Sequence, residues 1–214
     1  MDACAEIIWL KQTDSTNDEA ARHIDELDNL SVVAAVEQTA GRGQGDHSWT
    51  SAPGENLTFS LVLKFPPLSP LAARDILFIT RTVTHALREY LLSRGVETRI
   101  KWPNDIYAGD RKICGILIEN TLVRSRVRTS IIGIGFNLNQ TDFPPELPNP
   151  VSLRQLTGCL YDPEEELRAL HAALKTSASL LDSQEGRMQL ERYFDAYVFR
   201  LDAGDRSSLP DPRS

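Results

Sequence analysis

The sequence predicts a mixed α/β fold in which a β-sheet is flanked by helices. A long stretch after residue 69 repeats apolar residues at the spacing of one helix face, and four short strand-like segments follow it. Strands in succession after a long helix favour a mixed or antiparallel sheet over a regular alternation of parallel strands and helices. The 214 residues are enough for one sizeable domain.

The first part of the chain predicts a strand, a helix and a second strand. Residues 6–10 are mostly apolar and predict the first strand. Thr16 and Glu19 have the spacing of a capping box, which predicts a helix over residues 17–27. The nearly continuous apolar run over residues 32–38 is short enough for a buried strand.

The middle of the chain predicts one strand and the longest helix. Residues 57–64 predict a strand that a pair of prolines ends. Ser69 is the predicted N-cap of the helix, Pro70 its first residue and Gly95 its end. The predicted core stripe of this helix consists of Ile76, Ile79, Val83, Leu87 and Tyr90.

The second half predicts more strands and then helices. The predicted strands span residues 98–102, 106–108, 112–121 and 127–137, with turn residues at Asp105, Gly109 and Asp110. Two helices are predicted between Pro163 and Arg200, and residues 201–214 predict a polar tail. We therefore expect one domain over residues 1–200.

Composition excludes several classes of protein. The net charge of −7 argues against nucleic acid as the main partner, because phosphate binding needs a basic face. The three cysteines are far apart, which indicates a reducing compartment and not a disulfide framework. No basic and apolar leader begins the sequence, and no apolar run has the length of a membrane span. A cytoplasmic globular protein is expected.

A glycine-rich loop over residues 39–54 is the first candidate for chemistry. Its glycines allow the backbone to approach a ligand closely. Arg42 offers a fork of donors to a carboxylate or phosphate, and Trp49 can stack on a planar base. The loop is neither a Walker loop nor a dinucleotide-binding fingerprint, because no Gly-Lys-Ser/Thr and no helix follows. A plain surface loop is the alternative.

Three further segments combine turn residues, charge and glycine. Residues 101–105, Lys-Trp-Pro-Asn-Asp, place a lysine before a turn and polar acceptors after it. Lys112 begins an apolar strand in which Gly115 indicates close approach by a ligand or another backbone. Gly133 and Gly135 alternate with apolar residues, so both lie on one strand face. That face suits a ring lying on the sheet, and helix packing is the alternative.

Together these segments closely resemble the catalytic domain of biotin–protein ligases, also called biotin–[acetyl-CoA-carboxylase] ligases. The resemblance begins at the run Asp-Ser-Thr-Asn over residues 14–17 and extends to about Asn139. Its specific parts are Gly41-Arg42-Gly43 with Trp49, Lys101-Trp-Pro-Asn-Asp105, Arg111-Lys112-x-x-Gly115-Ile-Leu and Gly133-x-Gly135-x-Asn137. It implies an α/β fold related to class II aminoacyl-tRNA synthetases. It also implies ATP-dependent activation of biotin as biotinyl-5′-AMP, with Mg²⁺ accompanying the nucleotide.

The resemblance also implies roles for individual residues. The implied biotin contacts are Ser15, Thr16, Asn17, Gln38, Arg42, Gly43, Gln44, Lys112, Gly115 and Gly133. The implied nucleotide contacts are Trp49, Asn104 and Asn137. The implied catalytic residues are Arg42, Lys101, Asp105 and Lys112. Among these, Lys112 bridges the biotin carboxylate and the α-phosphate, and Asp105 orients or deprotonates the incoming lysine. No metal ligands are assigned.

The implied acceptor is a lysine of the biotin carboxyl carrier protein of acetyl-CoA carboxylase or of a related carboxylase. Family members often form homodimers through a sheet edge. Gln44 stands where many members have a second arginine, and Asp46 where many have glycine, so the loop is expected to close differently or to hold the adenylate less tightly. No helix-turn-helix domain precedes the core, so no DNA-binding role is expected. The C-terminal SH3-like domain of many members is expected to be absent or truncated.

Two alternatives remain open. A lipoate–protein ligase would have an Arg-Arg-x-x-Gly-Gly-Gly loop followed by histidine, whereas this loop has Gly-Arg-Gly with Trp49. A binding protein would hold biotin or its adenylate without completing the transfer to a carrier.

Overall fold

The computed structural model describes residues 6–66 and 71–199. Within these residues the chain forms one nine-stranded sheet and five α-helices. The strands are β1 (Ile7–Thr13), β2 (Val32–Gln38), β3 (Leu57–Lys64), β4 (Leu71–Ala72), β5 (Arg99–Lys101), β6 (Asp105–Ala108), β7 (Arg111–Val123), β8 (Arg126–Phe136) and β9 (Val198–Phe199). The helices are α1 (Thr16–Arg22), α2 (Leu77–Ser93), α3 (Leu153–Thr157), α4 (Pro163–Ser179) and α5 (Gln184–Tyr197).

The sheet is mixed, as predicted. Its strand order is β1-β2-β3-β8-β7-β6-β5-β9, and β4 pairs with β8 outside this path. The β1–β2 and β5–β9 pairs are parallel, and the other pairs are antiparallel. The central strands β3, β8 and β7 form the platform on which the rest of the molecule packs.

The main core lies between this platform and the helices α2 and α4. The predicted stripe of α2 faces the core: Ile79, Val83, Leu87 and Tyr90 are buried, and Ile76 packs against them from just before the helix. Complete burial of one such side chain stabilises a fold by about 1.5–3 kcal/mol. Helix α1 covers a smaller apolar cluster, which consists of Ala20, Leu27, Val33, Val62 and Ile131.

The predicted capping box of the first helix is wrong. Ser15 is the N-cap residue, and its side chain makes no capping hydrogen bond. The hydroxyl of Thr16, predicted to cap the helix, donates to Gln38 on β2 instead. A hydrogen bond to a distant strand competes here with the local capping bond. The helix ends at Arg22 instead of residue 27, and β1 extends to Thr13 instead of residue 10.

The predicted beginning of α2 is also wrong. The helix begins at Leu77, because Leu71–Ala72 pairs with β8 as a short strand and Ala73–Asp75 forms a 3₁₀ turn. The predicted cap residues, Ser69 and Pro70, lie outside the described residues. At the other end, Gly95 has a φ of 75°, so the predicted glycine stop is confirmed.

The predicted strands and helices of the second half are present with small shifts. Asp105 begins β6 and is not a turn residue, because the turn spans residues 102–104. Helix α3 and strand β9 were not predicted; α3 begins with a capping box between Ser152 and Gln155. The predicted tail lies outside the described residues. No helix of the described part is long and apolar enough to cross a membrane.

Candidate active site

A cavity of about 290 Å³ lies between the sheet and the glycine-rich loop (residues 39–54). Most of the residues predicted for the site line it: Ser15, Thr16, Asn17, Gln38, Arg42, Gly43, Gln44, Trp49, Lys101, Asn104, Asp105, Lys112, Gly115 and Gly133. Gly135, predicted to lie on a strand face suited to a ring, also lines the cavity. Seven further lining residues were not predicted as ligand contacts, namely His47, Ser48, Trp102, Pro103, Ile116, Leu117 and Ile134. Segments separated by up to about half of the chain therefore meet at one place.

Strand register explains why the motifs converge. Lys101 of β5 pairs with Asp105 of β6, which pairs with Gly115 of β7, and Gly115 pairs with Gly135 of β8. Residues directly opposite each other on paired strands project from the same face of the sheet. One cross-strand row therefore aligns a cation, a carboxylate and a stretch without side chains.

A polar network forms one side of the cavity, where β1 leads into α1. The backbone N–H and the hydroxyl of Thr16 both donate to Gln38 Oε1, at 2.8 and 3.0 Å. Ser60 Oγ lies 2.8 Å from Thr16 Oγ1 and 2.6 Å from Asn17 Oδ1. Asn17 Nδ2 donates to Glu119 Oε2 at 2.7 Å. These bonds fix the orientation of each polar group before a ligand arrives.

Sequence reasoning missed Ser60 and Glu119. Ser60 is completely buried in β3, and Glu119 lies in the otherwise largely apolar strand β7. For Ser60, a polar residue within a buried apolar strand is the signal that could have identified it, because such groups need partners. Glu119 lies in a partly buried part of β7 and has no such signal in the sequence.

The glycines of β7 and β8 make room for two side chains of this protein. A Cβ atom on Gly135 would lie 2.1 Å from Trp49 Cε2, and one on Gly115 would lie 3.1 Å from Trp49 Cζ3. A Cβ on Gly133 would lie 2.5 Å from Asn17 Oδ1. The indole of Trp49 is therefore the ring that lies over the sheet, and the close packing of helix α1 accounts for Gly133.

The glycine-rich loop is folded as a small irregular hairpin. Trp49 N–H donates to the carbonyl of Gly41 at 2.9 Å, and Gly43 N–H donates to that of His47 at 2.7 Å. A Cβ on Gly41 would lie 2.4 Å from the Trp49 carbonyl oxygen, so only glycine fits there. Trp49 Nε1 is buried and finds no hydrogen-bond acceptor among the described residues.

Three cations surround the cavity, and each has a partner. Lys112 Nζ lies 2.8 Å from Asp105 Oδ1, and Lys101 Nζ lies 3.3 Å from the hydroxyl of Tyr107. Arg42 is paired with a glutamate and an aspartate, and its hydrogen bond to Glu119 raises the pKa of its guanidinium. Positive groups held in place around a cavity stabilise negative charge on a ligand.

Two nearby residues, Asn137 and Cys114, are not among the residues that line the cavity. Asn137 does not line the cavity; it is buried, and its Nδ2 donates to the carbonyl of Val151 at 3.1 Å. Its contact with a nucleotide stays a prediction. Burial raises the pKa of the Cys114 thiol, so Cys114 is unsuited to act as a nucleophile. Among the described residues, no three His, Cys, Asp or Glu side chains cluster as metal ligands would.

The sequence that forms this cavity is similar to those of known protein ligases. Residues 9–137 match the model of the Biotin/lipoate A/B protein ligase family. The chain is 34% identical over 178 residues to the biotin--[acetyl-CoA-carboxylase] ligase of Paracoccus denitrificans, covering 81% of this chain and 73% of that protein. It is 41% identical over 130 residues to the bifunctional ligase/repressor BirA of Bacillus spizizenii, where the match covers 59% of this chain. The chain spans 39% of the length of that relative.

Solved structures share the fold. A biotin protein ligase from Aquifex aeolicus in complex with biotin and ATP superimposes with a TM-score of 0.74 at 25% identity, covering 91% of this chain and 78% of that one. A biotin protein ligase from Leishmania major in complex with biotin has a TM-score of 0.74 at 23% identity, covering 99% and 88% of the two chains.

Proposed function

Because the chain belongs to the biotin/lipoate A/B protein ligase family, we propose that it activates biotin with ATP as biotinyl-5′-AMP and transfers the biotinyl group to a carrier lysine. The observation that supports this most is the meeting of four sequence segments around one cavity, with three cations and the ring of Trp49 at its walls. The name of its relative from Paracoccus denitrificans favours biotin as the acid and acetyl-CoA carboxylase as the acceptor, and we propose that the modified lysine lies in the biotin carboxyl carrier protein of that enzyme.

The chemistry requires positioning and charge neutralisation. A carboxylate oxygen of biotin attacks the α-phosphorus of ATP, a new O–P bond forms, and pyrophosphate leaves with the electrons of the broken bond. No protein nucleophile is needed. We assign to Lys112, which lines the cavity beside Asp105, the contacts with the biotin carboxylate and the α-phosphate; these oxygens would replace Asp105 as its partner. Arg42 and Lys101 supply the remaining positive charge.

The second step uses the same cavity. The amine of the carrier lysine attacks the carbonyl carbon of the mixed anhydride, and AMP leaves. Asp105, once separated from Lys112, is our candidate for accepting the proton of the incoming ammonium group. Mg²⁺ would arrive with ATP and would supply charge neutralisation on the phosphates; among the described lining residues, Asp105 is the carboxylate that could contact it.

The polar groups of α1 and β2 are suited to biotin. A cyclic urea needs donors for its oxygen and acceptors for its N–H groups, and Thr16, Asn17 and Gln38 supply amide and hydroxyl groups in fixed orientations. Trp49 and Asn104 lie at the part of the cavity that we assign to the nucleotide. We propose further that the protein acts in the cytoplasm as a homodimer and that its acceptor is a carboxylase. A DNA or membrane partner is not part of the proposed function.

Intact-mass analysis of a biotin carboxyl carrier domain, incubated with this protein, biotin and MgATP, tests the proposal. We expect a mass gain of one biotinyl group and release of AMP. Lys112→Ala should slow adenylate formation by about 10²–10³-fold, a typical loss for one group that stabilises developing charge. Lys175→Ala removes an exposed lysine of α4 and should change neither product.

The remaining outcomes separate the alternatives. Labelling with lipoate in place of biotin would contradict the proposed substrate and favour the other branch of the family. If the protein binds biotin but produces neither AMP nor a biotinylated carrier, the proposed reaction is wrong and the protein is a biotin-binding protein.

A further inference from the structure

We propose that Glu119 is a positioning residue: it holds Arg42, and through Arg42 the glycine-rich loop, against the polar network of the cavity. The inference rests on the proposed function, because the loop and this network form the site assigned above to biotin and ATP. Glu119 itself does not line the cavity, so it acts through its neighbours.

The carboxylate of Glu119 connects two parts of the site. Arg42 Nη1 donates to Glu119 Oε1 at 3.0 Å, and Arg42 Nη2 donates to Glu119 Oε2 at 2.8 Å. The two side chains thus form a bidentate ion pair. Glu119 Oε2 also accepts from Asn17 Nδ2 at 2.7 Å. One strand residue therefore fixes a side chain of the loop and a side chain of helix α1 at the same time.

This arrangement leaves Arg42 able to bind a ligand. A guanidinium has five N–H donors. Three hydrogen bonds are formed here, two to Glu119 and one from Nη2 to Asp18 Oδ1 at 2.7 Å. Two donors remain, so Arg42 can stay paired with Glu119 and still contact a carboxylate or phosphate.

The pair contributes orientation more than folding stability. The side chain of Arg42 is 42% exposed and that of Glu119 is 39% exposed, and ion pairs so open to water contribute little to the free energy of unfolding. Loss of the pair should therefore change ligand binding while leaving the fold intact.

The substitution Glu119→Gln weakens the contact with Arg42 and keeps the contact with Asn17. The glutamine carbonyl oxygen can still accept the hydrogen bond from Asn17, whereas the charge and the second acceptor for Arg42 are lost. We expect the KM for biotin to rise about tenfold, the loss typical of one charge-assisted contact, with kcat changed less than about threefold. The midpoint of thermal unfolding should stay at the wild-type value.

A matched control and a double variant sharpen the test. Glu164→Gln breaks another exposed glutamate–arginine pair, to Arg168 at 3.5 Å on helix α4; neither residue lines the cavity, and both kinetic constants should stay unchanged. Because Glu119 acts through Arg42, the double variant Glu119→Gln/Arg42→Gln should have the same KM as Arg42→Gln alone.

Three results would overturn the inference. One is a wild-type KM for Glu119→Gln, and another is additive effects in the double variant. The third is a fall in kcat and thermal midpoint with KM unchanged, which would make Glu119 merely structural. Trypsin cleavage after Arg42, measured without ligands, should be faster in Glu119→Gln. This readout tests the loop contact even if wild-type protein fails to label any carrier, a failure that would contradict the proposed function alone.

Discussion

Gly135 and Trp49 form a matched pair at the centre of the cavity. The indole lies so close to the backbone of β8 that a Cβ atom at residue 135 would overlap it. The indole N–H has no acceptor among the described residues, and a buried unpaired donor costs about 1–3 kcal/mol. Packing on the glycine therefore keeps the ring in place, and a ligand oxygen near Nε1 would stabilise it further.

Gly135→Ala should displace this ring. The added methyl group cannot coexist with the indole, and the exposed loop can move more easily than the central strand. We expect the KM for MgATP to rise by about tenfold. Overpacking a core usually costs about 1–3 kcal/mol of folding free energy, and we expect a smaller loss here. Steady-state kinetics and urea unfolding check both values. Gly115→Ala, where the nearest atoms lie at 3.1 Å, should have a smaller effect.

A large loss of stability in Gly135→Ala with an unchanged KM would contradict this account. It would mean that the ring stays in place and the strand is strained instead.

The glycine-rich loop is the element that links these residues to the rest of the site. Its beginning is fixed by hydrogen bonds from Thr39 N to Thr13 O and from Ala40 N to Asp14 O. Its end is fixed by Gln140 Oε1, which accepts from Ala52 N at 3.1 Å. Residues 44–48, between these anchors, are exposed. The loop is therefore anchored at both ends and open in the middle, as expected of a segment that closes over a ligand.

Limited trypsin digestion should detect this closure. Arg42 provides the tryptic site of the loop, and contacts with biotin and ATP would hold it in place. We expect cleavage after Arg42 to slow several-fold when both ligands are present, by loss of locally open states. Mass spectrometry identifies the bond cut, and cleavage after Arg187 on α5 serves as the internal reference. Equal rates after Arg42 with and without ligands would contradict closure.

At the scale of the whole molecule, two histidines connect the helical layer. His85 Nδ1 lies 2.8 Å from Ser177 Oγ and joins α2 to α4. His171 Nε2 lies 2.8 Å from the carbonyl oxygen of Leu30 and joins α4 to the chain before β2. Burial lowers the pKa of both imidazoles below the ordinary value of 6.5. Both rings are therefore neutral in the folded protein near neutral pH.

The protein should lose stability as the pH falls below 6.5. The unfolded chain takes up protons on these histidines first, so their contribution is complete above pH 6.5 and decreases towards the lower folded-state pKa values. Urea midpoints at pH 7.5, 6.5 and 5.5 measure the change. The double variant His85→Gln/His171→Gln should have a flatter profile. Asp14, whose pKa is held low by hydrogen bonds from Arg22, affects stability only in more acidic solution.

A wild-type midpoint that is constant from pH 7.5 to 5.5 would contradict this prediction. So would an equally steep profile in the double variant.

Local patterns determined much of the fold and of the candidate site. The bounds of β2 and β3 and the core stripe of α2 followed from apolar runs and helical spacing, because burial imposes a period on the sequence. The four motif segments were recognisable because the chemistry of a ligand needs particular residues within a few positions of each other. Nearly all of the residues predicted from them line the cavity.

Only the tertiary structure decided which groups meet across long separations. The hydroxyl of Thr16 donates to Gln38 instead of capping helix α1, and β9 pairs with the edge of β5. Glu119 met Arg42 across 77 residues. Strand register placed Gly135 under Trp49 and Asn137 behind the cavity. The sequence by itself thus determined the elements and the chemical groups. Pairing between distant strands decided their contacts, because hydrogen-bond register has no local signature.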